Sequence, residues 1–88
     1  MNKSFENFNW VGFNRGEVAV NTTTLDEAED FLSQCYTKGV AFPKGCTYNT
    51  FRFLWFKNTD DTIYYINKGG YLTFGCLDST PENIFEIY

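Results

Sequence analysis

Two guanidinium groups and three large rings are the side chains best suited to chemistry in this chain: Arg15, Arg52, Trp10, Trp55 and Tyr64. A guanidinium gives charge-assisted hydrogen bonds to an anion, and a ring face gives a flat base something to stack on. Together they suit a small anionic, nucleotide-like ligand. Arg52 lies between Phe51 and Phe53, and Arg15 sits in an Asn14-Arg15-Gly16 stretch that reads as a hairpin tip. A second set is acidic. Asp26, Glu29 and Asp30 stand on a segment of helical pattern, either as a solvated face near the positive end of the helix dipole or as a docking surface for a basic protein.

Other chemistry finds little footing. The chain has no histidine, so none of its three cysteines, Cys35, Cys46 and Cys76, has the usual base, and no CxxC pair suggests a four-ligand zinc site. The expectation is free thiols, no metal, no cofactor and no catalytic residue. Asp60-Asp61 reads as turn chemistry, and the glycines of Asn67-Lys68-Gly69-Gly70-Tyr71 match neither phosphate-binding fingerprint. A net charge of −4 and a pI near 4.5 disfavour direct nucleic-acid binding. That charge is local: residues 1–35 hold two cations against six carboxylates, whereas residues 36–88 hold five of each. With no leader-like apolar run and no membrane-length segment, the expected location is the cytoplasm.

These residues need a frame to position them, and 88 residues allow one thin-cored domain, 1–88. The clearest element is a helix over about 25–38. Thr24 and Glu27 form a capping box, Ala28, Phe31, Leu32, Cys35 and Tyr36 make one apolar stripe, and Gly39 stops the helix. Before it, a hairpin is expected to turn at Asn14–Gly16, with Val18 and Val20 facing the core. After it come a short strand at 39–42, longer strands at 50–57 and 62–67 joined by a turn, a third at 71–75 and a last one after Pro81. The expected fold is α+β: an antiparallel sheet of four to six strands with one amphipathic helix packed on one face.

The densest stretch, Phe51 to Tyr65, carries six aromatic rings in fifteen residues. Read as a strand, it places Phe51, Phe53 and Trp55 on one face with Leu54 and Phe56 on the other, so both faces are apolar. One helix covers one face. The other calls for the terminal segments, a second copy of the chain or a bound partner, and a homo-oligomer is the simplest expectation.

Two segments, "VAVNTTTLDEAEDFLSQCYTKGVAF" and "TIYYINKGGYLTFG", cover about half the chain and resemble a group of small phage and prophage proteins of Gram-positive bacteria. Relatives in that group often carry Trp where this chain has Phe42. The resemblance implies the cytoplasm of an infected host and stoichiometric action on host defence. It leaves three roles open: a sponge that sequesters a nucleotide-derived immune signal; an inhibitor that docks its acidic helix on a host defence protein, as many anti-CRISPR proteins do; and a phage accessory or structural protein.

Overall fold

A computed structural model describes residues 4–88; Lys3, counted above among the N-terminal charges, lies outside them. The elements run α1 (Trp10–Asn14), β1 (Val18–Thr22), α2 (Leu25–Thr37), α3 (Tyr48–Asn58), a 3-10 turn (Thr59–Asp61), β2 (Thr62–Ile66), β3 (Leu72–Cys76), a second 3-10 turn (Leu77–Ser79) and β4 (Glu86–Ile87). The class is α+β as expected. The sheet has four strands in the order β3-β2-β1-β4. It is mixed rather than purely antiparallel, because β4 runs parallel to β1 with Val18 opposite Glu86.

α2 forms where its sequence signals place it. Thr24 Oγ1 accepts from the Glu27 amide at 3.1 Å. The Glu27 carboxylate reaches one residue further back than a capping box would take it, accepting from the Thr23 amide at 3.0 Å. At the other end Gly39, with φ of +76°, turns the chain so that its amide and that of Val40 satisfy the carbonyls of Tyr36 and Cys35. Ala28, Phe31, Leu32 and Cys35 are fully buried, but Tyr36 is 73 % exposed and leaves the expected stripe.

Three elements differ from expectation. The hairpin before α2 is a short helix, α1: Asn9 Oδ1 accepts from the Gly12 amide, and Gly16, with φ of +77°, turns the chain into β1. Residues 39–42 are not a strand, although the Ala41 carbonyl accepts from the Leu72 amide at 2.8 Å and so covers part of the β3 edge. Residues 50–57 are the helix α3. Thr50 Oγ1 accepts from the Thr47 amide at 3.1 Å at its start, and Phe51 and Trp55, one turn apart, enter the core while Phe53 and Phe56 point to solvent. Phe51 and Phe53 therefore do not share a face. The one expected helix becomes two long ones and a short one.

This answers what covers the sheet. One face, with Val18, Val20, Tyr64, Ile66, Leu72 and Phe74, packs against α2 and α3. The N-terminal rings extend that core: Phe5, Phe8 and Phe13 cluster around Phe31, and the Trp10 ring stacks on Phe31 at 5.9 Å and 6°. On the opposite face Ala19 and Ile63 are fully buried beneath Ile84, with Tyr65 and Leu77 against them. The chain's own segment after β3 is thus the second layer there. The doubly apolar strand that called for a second copy is not formed.

Candidate functional site

The five residues read as a nucleotide site do not converge. Trp55 is 9 % exposed and its Nε1 donates to the Thr22 carbonyl at 3.0 Å. Tyr64 is fully buried and its hydroxyl donates to the Phe51 carbonyl at 3.1 Å. Both are core. Trp10 is half-buried in the N-terminal aromatic cluster, with the Lys38 ammonium 5.8 Å from its ring centroid. Arg15 is exposed at the end of α1. Arg52 lies on α3, ion-paired with Glu29 of α2, with its guanidinium 5.8 Å from the Phe53 ring.

The acidic set is better preserved as a surface. Asp26 is exposed, and Glu29 and Asp30 are half-buried. At helical spacing the row continues through Ser33 to Tyr36. Ser33 and Tyr36 form one wall of a groove of about 500 Å³, whose other walls are Phe42 and Cys46 of the connecting loop and Thr47 and Tyr48 at the start of α3. The acidic stripe of α2 therefore runs directly into a groove lined by three rings.

Two of those rings are fixed by their neighbours. Phe42 packs edge-on against the buried Phe51 at 5.8 Å. The Tyr48 hydroxyl donates to the Glu29 carbonyl at 3.2 Å. Burial holds the Tyr48 phenol above its ordinary pKa, and the carboxylates of Glu29 and Asp30 push it further while Arg52 opposes them. Asp30 and Glu29 thus act electrostatically on a residue that lines the groove. Sequence reasoning missed Tyr36, Phe42 and Tyr48. The signal for Tyr48 was the Thr47-x-x-Thr50 start of a helix, whereas nothing in the sequence alone marks Tyr36 as facing outward.

Among the described residues, one group has metal-ligand types close together: the ligand atoms of Asp61, Cys76 and Asp78 lie within 4.8 Å of one another, brought there by the Thr62–Cys76 pairing of β2 and β3. Both carboxylates are exposed, and exposed acidic groups commonly gather without an ion. Cys35 is fully buried, and burial pushes its thiol well above the ordinary range, so it is protonated and unreactive at neutral pH. No helix among the described residues is long and apolar enough to cross a membrane. Compared with known protein families, curated proteins and solved structures, the chain matches none.

Proposed function

We propose that this chain is a non-enzymatic binding protein that docks on another protein through the α2–α3 face. The observation that carries this reading is the continuity of the acidic stripe, Asp26, Glu29 and Asp30, with the ring-lined groove at Ser33, Tyr36, Phe42 and Tyr48. Protein interfaces draw their binding energy from a few aromatic anchors in such depressions, with charges at the rim that steer and select the partner. The partner that complements this face presents a basic residue beside an apolar one. In the setting implied by the resemblance to phage proteins, this is the docking inhibitor of a host defence protein.

The nucleotide sponge has weaker support. The groove is within the size range of small-molecule sites. Its cations serve a phosphate poorly, however: Arg52 is paired with Glu29, Asp30 lies close by, and Lys44 on the loop is exposed to solvent. Photocrosslinking from position 36, with position 85 on the far side as control, tests the docking reading alongside calorimetry against a nucleotide panel. The expected result is a crosslinked protein from position 36 only, lost on Asp26→Lys/Asp30→Lys, with no heat from nucleotides. Equal crosslinking from both positions, or nucleotide heat abolished by Tyr48→Leu, would overturn it.

A further inference from the structure

We infer that the groove receives the alkylammonium head of a lysine side chain on the partner protein, between the rings of Tyr36, Phe42 and Tyr48 and beside the carboxylates of Glu29 and Asp30. This rests on the docking reading and specifies its ligand. Ring faces carry partial negative charge and attract a cation placed over them, more strongly as water is excluded. All three rings line one groove of about 500 Å³, room enough for a side chain to enter among them. Phe42 and Tyr48 are held in place by Phe51 and by the Glu29 carbonyl, so little ordering is needed when a ligand enters.

Charge around the groove favours the same ligand. Glu29 is paired with Arg52, but Asp30 has no ion-pair partner among the described residues. Lys38 caps the C-terminal end of α2 two residues after Tyr36, but its ammonium lies over the Trp10 ring and not over a ring of the groove. Lys44 stands on the loop between Phe42 and Cys46, is exposed, and lies over none of the three rings. Among the described residues, no lysine or arginine therefore stands over these rings.

The test is an NMR titration of the full chain with Nα-acetyl-lysine methylamide, its norleucine and arginine counterparts, and AMP. Norleucine has the same chain length as lysine's apolar stem and no charge, so it isolates the contribution of the ammonium. The lysine probe is expected to shift the amides of Ser33, Tyr36, Thr47 and Tyr48 and to bind several-fold more tightly than norleucine. Tyr36→Leu, at a position too exposed to disturb the fold, should weaken it about two- to fivefold. Added salt and Asp30→Asn should weaken it too. Norleucine or arginine binding as tightly as lysine, or silence from the lysine probe, overturns the inference while leaving the docking reading to the crosslinking result. AMP shifting these amides while lysine does not overturns both.

Discussion

The indole Nε1 of Trp55 donates to the main-chain carbonyl of Thr22 at 3.0 Å, and that bond fastens the middle of α3 to the end of β1. The exchange runs the other way next door, where Thr62 Oγ1 of β2 donates to the Trp55 carbonyl at 3.2 Å. A residue that looked suited to stacking on a ligand is instead the joint between helix and sheet. Trp55→Phe keeps most of the ring and removes the donor, leaving a buried carbonyl without its partner. The expected loss is about 1–3 kcal/mol, read as a lower urea midpoint at unchanged slope.

Beside that joint, the Thr22 hydroxyl is fully buried and has no hydrogen-bond partner among the described residues. Valine has nearly the same shape and no polar atom to desolvate. Thr22→Val should therefore raise stability, by about 1 kcal/mol on the scale of an unsatisfied buried polar group. A lower melting temperature would mean that the hydroxyl is satisfied in solution.

Thr24→Ala removes the acceptor for the Glu27 amide at the start of α2. About 1 kcal/mol of stability should go with it. Thermal melts of the two proteins decide the matter, because the buried Glu27 still holds the Thr23 amide and the fold should survive.

Gly16 and Gly39 have nearly the same positive φ but different surroundings. A Cβ at Gly16 would meet the Ile66 carbonyl at about 2.9 Å, whereas one at Gly39 meets nothing within 4 Å among the described residues. Gly39→Ala should therefore show only the left-handed backbone penalty, about 1–2 kcal/mol, and Gly16→Ala clearly more. Equal losses in parallel denaturation curves would count against the close packing of Gly16 on β2.

Burial raises the Cys35 thiol and the Tyr64 phenol above their ordinary values, which are about 8.5 and 10. Above those values the unfolded chain releases protons that the folded chain retains, so the unfolded state binds fewer and stability falls as pH rises. Below about pH 7.5 both groups are almost wholly protonated in either state and the contribution is nearly flat. Melting temperatures should thus hold steady from about pH 6.5 to 7.5 and fall progressively above about pH 8.5. Iodoacetamide at pH 8 should label Cys46 and Cys76 and spare Cys35, as mass spectrometry of native and unfolded samples would show.

How far the sequence could be read depended on how cleanly each segment separates its faces. α2 was legible because Asp26, Glu29 and Asp30 lie opposite Ala28, Phe31 and Leu32, with a cap at one end and Gly39 at the other. β2 and β3 were legible from the glycine turn between them. α3 was not, because Phe53 and Phe56 put rings on its solvent side and hid the Phe51–Trp55 spacing behind a composition suited to strands. The groove was invisible for a related reason. Its rings come from α2, the loop and α3, and only tertiary packing brings them together, whereas Trp55 and Tyr64 fill the core.

The parallel pairing of β4 with β1 also bears on the order of assembly. Val18 and Glu86 are nearly the whole chain apart, so joining them closes the longest loop in the sheet, while β2 and β3 meet through a short turn. Contacts of such high sequence separation form late and reward the chain only after their loop entropy has been met. β4 should be the last strand to dock and the first to fray. Ala19 and Ile63 would then be transiently uncovered, and the nascent or fluctuating protein would be most vulnerable to sticking along β1, the strand that the mature sheet places next to its edge.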